Sequence, residues 1–289
     1  MRAATVPEKK IVATIAKDPR RVFTISQLSG ILQKHRLEWH LASSFSVEDF
    51  IEFLETNGGL RRIKLVSPDY SDLTRYAWGE VSPYRLALTI RKGAFLSHGT
   101  AAFLHDITDQ LPSTIYVNAE QSPKPVRESV LTQEGIDRAF KAQQRTSNLV
   151  YGYAEWRITV IAGKNTGRME VGLSQGPDNE PLEATKLERT LIDLAVRPAY
   201  AGGPHAVLEA FRLAKDRVST NVLVATLKKF DYVYPYHQII GFYMERAGYP
   251  PEKTNRLSRL PKRFNFYLTH GMKNPEYVEA WKLFVPRDF

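Results

Sequence analysis

The sequence predicts an α+β protein built from a small N-terminal module and a larger mixed domain. Three observations carry this. Three helical apolar stripes and a strand pair follow one another within the first 82 residues. Val, Tyr, Trp and Ile crowd the stretch from Asn148 to Ala162, which reads as two strands or one bent one. Successive helical stripes then fill the chain from Thr185 to Ala247. A length of 289 residues suits one large or two ordinary domains, and the hydrophobic share of 43% is ample for a core.

The first module opens with a helix over Pro7–Ala16, which places Ile11, Val12 and Ile15 on one stripe and Lys9 and Lys10 off it. Asp18-Pro19 stops it. Val22, Phe23 and Ile25 form a short extended piece, and Thr24 or Ser26 caps a second helix carrying Leu28, Ile31 and Leu32. Ser46 to Asp49 fits a capping box at the start of a third helix, whose apolar positions are Val47, Phe50, Ile51 and Leu54. Asn57-Gly58-Gly59 ends that helix. Two extended segments follow, Leu60–Val66 and Thr74–Gly79, around a turn-rich Ser67–Asp72. Three helices and a hairpin in this order predict a winged helix-turn-helix domain over residues 1–82, with a structural α+β module as the alternative.

Residues 83–117 read as a joint. A helix covers Pro83–Arg91; Ser97 then caps a short helix carrying Ala101, Ala102, Leu104 and Ile107 inward. Asp106 to Pro112 breaks it, and Ser113–Val117 forms a buried strand. Beyond it, Val126–Thr132 is expected extended, Gln133–Gln143 helical, and Arg168–Leu173 a strand. Gly163 to Gly167 is expected as a turn and Gln175–Glu180 as a loop. Stripes of Leu187, Leu191 and Leu194, of Val207, Leu208 and Phe211, of Val222, Leu223 and Leu227, and of Ile239, Ile240 and Tyr243 predict four helices. Arg263–Leu268 and Trp281–Val285 are expected as edge strands. Residues 83–289 thus form a mixed α/β domain.

The apolar runs are too short for a transmembrane helix, and none of signal-peptide length follows the basic N-terminus. Zero cysteines exclude disulfides and zinc–thiolate sites and suit a cytoplasmic protein. A net charge of +9 and a pI near 9.5 favour a polyanionic partner.

Catalytic and metal motifs fail on spacing. Gly163-Lys164-Asn165-Thr166 lacks the first glycine and the Lys-Ser/Thr pair of a phosphate loop. Asp178, Glu183 and Lys186 suggest a nuclease carboxylate set, but the acidic-x-Lys spacing is missing. His98 and His105 lie about 10 Å apart along a helix, too far for a shared metal. Arg189 and Asp193 are spaced to pair across one helical turn. No catalytic residue, metal or cofactor is therefore assigned.

The candidate DNA contacts are Lys10, Arg20, Arg21 and Arg36 around the first two helices, with Arg61, Arg62, Lys64 and Arg75 on the hairpin. Such side chains neutralise phosphates and set affinity. The third helix argues the other way, because Glu48, Asp49, Glu52 and Glu55 are repelled by phosphate. Arg256, Arg259, Lys262 and Arg263, near Tyr249 and Phe264, form a possible second polyanion or partner face.

Four blocks carry a resemblance. FLSHGTAAFLHDITDQLPSTIYV (95–117), LERTLIDLAVRPAYAGG (187–203), KKFDYVYPYHQIIGFYMERAGY (228–249) and FYLTHGM (266–272) resemble, in this order, the AbiEi-type antitoxins of type IV toxin–antitoxin systems. The resemblance implies a DNA-binding N-terminal domain that represses its own operon, read here as binding an inverted repeat in its promoter. It also implies a C-terminal domain needed for antitoxicity against a nucleotidyltransferase-like toxin. Direct toxin contact is left open. The alternatives are an interaction scaffold without a DNA role and a metal-dependent nuclease fused to a winged helix.

Overall fold

The structure is a computed structural model that describes residues 7–110, 113–123, 130–287 and 289. It is α+β, and the chain divides into two compact units. One holds the residues up to Ala94 together with Leu149–Ile158; the other holds Phe95–Asn148 and Thr159–Phe289.

The first unit begins with α1 (Pro7–Ala16), β1 (Val22–Phe23), α2 (Ile25–His35) and α3 (Val47–Asn57). Thr24 rather than Ser26 caps α2, closing a capping box with Gln27, and Ser46 closes the expected one with Asp49. Gly59, at φ +83°, takes the left-handed turn into β2 (Leu60–Leu65). β3 (Leu73–Trp78) pairs antiparallel with both β2 and β1, giving the order β1-β3-β2. Ile11, Ile15, Leu28, Leu32, Phe50, Leu54 and Trp78 join one buried cluster between the helices and one face of this sheet. Each such side chain contributes about 1.5–3 kcal/mol when removed from water.

α4 (Pro83–Leu88) follows, and the residues just past it meet the other face through Arg75. The expected boundary at residue 82 therefore moves to Ala94. The register Ile63↔Arg75 turns Arg75 towards α4, where its guanidinium donates to the carbonyl oxygens of Thr89 and Ile90 just past the helix end.

The second unit starts with β4 (Phe95–Leu96), α5 (His98–Leu104), β5 (Thr114–Asn118) and α6 (Gln133–Lys141). Ser97 does not cap α5 with its side chain; its Oγ lies 2.9 Å from His98 Nδ1 instead. Of the expected extended stretch Val126–Thr132, residues 126–129 lie outside the described residues. β6 (Val150–Tyr153) and the start of β7 (Trp156–Ile161) belong to the first unit. There Val66 pairs with Gly152, Ser67 Oγ donates to the Val150 carbonyl at 2.7 Å, and the Trp156 ring lies 5.6 Å from that of Tyr84.

β8 (Val171–Gln175) starts three residues later than expected, after a turn at Gly167–Glu170. β9 (Pro181–Thr185) then occupies residues with no strand expectation. The short alternation of β9 gains its stability from pairing, antiparallel to β8 and parallel to β4. Within this unit the strand order is β7-β5-β4-β9-β8.

Five helices follow: α7 (Leu187–Val196), α8 (Pro204–Ala214), α9 (Thr220–Phe230), α10 (Tyr236–Arg246) and α11 (Pro251–Ser258). Pro251 at its first turn starts α11, beyond the last helix that the sequence predicts. A small sheet closes the chain, with β10 (Phe266–Tyr267), β11 (Glu276–Val278) and β12 (Leu283–Val285) in the order β10-β12-β11. The segment expected at an edge thus lies at its centre. Trp281 sits in a one-turn helix before β12, buried against Gly241 of α10.

Candidate nucleic-acid surface and a cationic cleft

The basic residues expected to meet DNA fall into two groups. Arg61, Arg62 and Lys64 are exposed on β2. Arg61 pairs with Glu80 at 2.9 Å, Arg62 with Glu55 at 3.3 Å, and Lys64 with Asp72 at 2.8 Å. Lys10 pairs with Glu38, and Arg20 with Asp18. Surface pairs of this kind contribute little and exchange readily for a phosphate.

The other group is committed to the fold. Arg75 is only 7% exposed, and its hydrogen bonds to α4 remove it from the phosphate contacts expected of it. Arg21 donates to the Trp78 carbonyl oxygen at 2.9 Å. Arg36 donates to the carbonyl oxygens of Ala42 and Phe45, holding the connection between α2 and α3. Glu48, Asp49 and Glu52 are exposed along α3.

The second basic cluster also changes character. Arg256, Arg259 and Arg263 are exposed, but Lys262 donates to the Ser258 carbonyl oxygen and lies over the Trp281 ring. Tyr249 is buried with its hydroxyl on the Phe211 carbonyl oxygen, so it offers no ring for a base to stack on. The suggested nuclease set disperses as well. Glu183 pairs with Arg168, Lys186 pairs with Glu170, and Asp178 stands exposed in a turn.

The second unit also holds a cleft that no single motif marked. It measures about 700 Å³ and opens among the end of α6, the loop after β7, α7 and the start of α10. Arg138, Arg145, Lys164, Arg189 and Arg197 line it, against one carboxylate, Asp193. His98, Tyr232, Tyr234 and His270 also lie in its wall.

Arg189 is buried in the wall. It pairs with Glu120 at 3.1 Å and Asp193 at 3.5 Å, and its guanidinium lies 4.8 Å from the Phe95 ring centre. The expected Arg189–Asp193 pair is therefore present, and it is buried. Burial raises the Asp193 carboxyl to about 6 despite the pull of Arg189 and Arg197. Burial, helped by the charges of Arg197 and Arg189, drops His98 to about 3 and keeps it neutral. For Glu120 burial acts upward, yet hydrogen bonds from Thr166, Arg168 and Arg189 outweigh it and hold the carboxyl below its usual value.

The Gly163–Thr166 segment reaches the cleft without forming the expected turn. Its donors face inward to the protein. Lys164 Nζ donates to the carbonyl oxygens of Phe230 and Asp231 at the end of α9, and Thr166 bonds Glu120. Gly163 is required there, because a Cβ would fall 2.5 Å from Asn118 Oδ1.

Among the described residues, no group of three or more His, Asp or Glu side chains is placed to hold a metal ion. None of their helices is long and apolar enough to cross a membrane. No family model matches the chain, and no curated protein matches it. Its structure is similar to the crystal structure of the RV2827C protein from Mycobacterium tuberculosis. The TM-score is 0.54 at 16% identity, over 99% of this chain and 93% of that one, a likeness of fold alone.

Proposed function

We propose that the chain is a DNA-binding autorepressor and antitoxin of the AbiEi type, paired with a nucleotidyltransferase-like toxin. The topology of the first unit carries the DNA-binding half. Its order is helix, strand, helix, helix and hairpin, with β3 central in a β1-β3-β2 sheet. That order supports the winged helix-turn-helix reading. The hairpin is then the wing, and Arg61, Arg62 and Lys64 are its exposed phosphate contacts. The antitoxin half is supported by the sequence resemblance of residues 95–117, 187–203, 228–249 and 266–272.

The exposed carboxylates of α3 favour a second reading, an interaction module that neutralises a partner protein without reading DNA. Fluorescence anisotropy of a labelled duplex from upstream of the gene, titrated at several salt concentrations against a scrambled duplex, separates the two. The autorepressor prefers the upstream duplex. Replacing Arg61, Arg62 or Lys64 with Gln flattens its salt slope by about one per residue. Equal, weak binding to both duplexes, with a slope indifferent to all three replacements, would leave the interaction module. Point variants are the right tool, because the first unit also includes Leu149–Ile158 and no N-terminal deletion removes it cleanly.

A further inference from the structure

We propose that the cationic cleft of the second unit is a binding site for a short phosphate chain, with a nucleoside triphosphate as the ligand. The site shares no residue with those assigned to DNA and is independent of that reading.

The argument starts from charge. Of the five cations lining the cleft, two are already used: Arg189 by Glu120 and Asp193, and Lys164 by the end of α9. Asp193, the one carboxylate in the lining, pairs with Arg189, and the charge of Arg197 also acts on it without an ion pair. Arg138, Arg145 and Arg197 remain, and none forms an ion pair or a side-chain hydrogen bond among the described residues. Arg197 is half-buried, following the last turn of α7. A guanidinium withdrawn from water without an anion is costly, and several together concentrate anions in a concave site. The planar fork of arginine matches phosphate oxygens in paired hydrogen bonds.

Shape and lining narrow the class. A volume of about 700 Å³ is that of a small-ligand site, since such pockets span about 300–1,000 Å³. A cleft of this kind takes a short chain, not the side of a duplex. At its edge Val233 is 63% exposed beside the half-buried Tyr234, an apolar patch that suits a base. His98 is buried and neutral, so it adds hydrogen-bonding capacity without further charge. With no metal-holding cluster among the described residues, a divalent ion would enter with the nucleotide.

Isothermal titration of the full chain with ATP, inorganic triphosphate, adenosine and sulfate, with and without magnesium, tests this. ATP is expected to bind one site. Arg197→Gln should weaken it about tenfold or more, as loss of a charge-assisted phosphate contact does. The exposed pair Arg138→Gln/Arg145→Gln should weaken it without altering the melting temperature, which covers the case in which Arg197→Gln disturbs the wall. Arg61→Gln/Arg62→Gln should leave it unchanged. Triphosphate binding as tightly as ATP would assign the site to the phosphate chain alone, and tighter ATP binding would show that the base is also held. Either result supports the site. Absence of binding, sulfate competing as well as ATP, adenosine binding equally, or affinity indifferent to both cleft variants would overturn it.

Discussion

Arg189 on α7 and Glu120 just after β5 form a buried ion pair at 3.1 Å, although 69 residues separate them in sequence. The same guanidinium lies over the rings of Phe95 and Phe230 and donates to Thr166 and the Met169 carbonyl oxygen. It joins strand, loop and helix in the wall of the cleft.

Removing Arg189 strands two carboxylates, Glu120 and Asp193. Arg189→Met should cost about 3–5 kcal/mol, the usual consequence of breaking one side of a buried pair. Arg189→Lys should recover little, because an ammonium cannot span the same acceptors. Urea denaturation of the three proteins measures both effects.

Stability should fall in acid with a slope set by buried histidines and opposed by Asp193. His98 is lowered to about 3, and His237 to about 4, burial being the main cause in both. Each binds a proton more readily when unfolded, so its contribution is present above about 6.5 and is lost as pH falls towards the folded value. Asp193, raised by burial to about 6, acts in the opposite sense. Its contribution is present below about 4 and is lost as pH rises through 6. Asp193→Asn should therefore steepen the loss of melting temperature between pH 6 and 4. A slope unchanged or shallower in the variant would refute the assignment.

Gly241 of α10 should not tolerate a methyl group. Alanine is the better helix former by about 1 kcal/mol, yet a Cβ here would lie 2.2 Å from ring carbons of Trp281. That ring is fixed by burial and by its Nε1 donating to Glu245 at 2.8 Å. Gly241→Ala should lose about 1–3 kcal/mol net from overpacking. Adding Trp281→Leu to Gly241→Ala should cost less than Trp281→Leu costs alone, and a thermodynamic cycle of chemical denaturations reads the coupling.

Arg75→Gln distinguishes a structural arginine from a phosphate contact. Leaving the Thr89 and Ile90 carbonyl oxygens without their donor should cost about 1–3 kcal/mol. The salt slope of DNA binding should stay that of the parent, in contrast to Arg62→Gln. Thermal melts and anisotropy titrations on the same preparations give both answers.

Local signals account for much of what the sequence determined. Thr24 and Ser46 start α2 and α3 because a side chain three residues away completes each capping box. Helical apolar spacing located α7 to α10, and Gly59 marked the entry to β2, since only a residue comfortable at positive φ makes that turn. Each of these depends on residues within about one helical turn or one hairpin of each other.

Tertiary structure decided the rest, because the relevant neighbours are remote in the chain. β9 holds as a strand through partners in β4 and β8 that its own short alternation does not specify. Whether an arginine meets solvent was a matter of register: Arg62 and Arg75 look equivalent in sequence, but the β2–β3 pairing leaves one exposed and turns the other onto α4. The cleft gathers His98, Arg138, Lys164 and Tyr234 with Arg189 of α7 and Arg197 at its end. No spacing rule spans such separations; packing alone brings those side chains together.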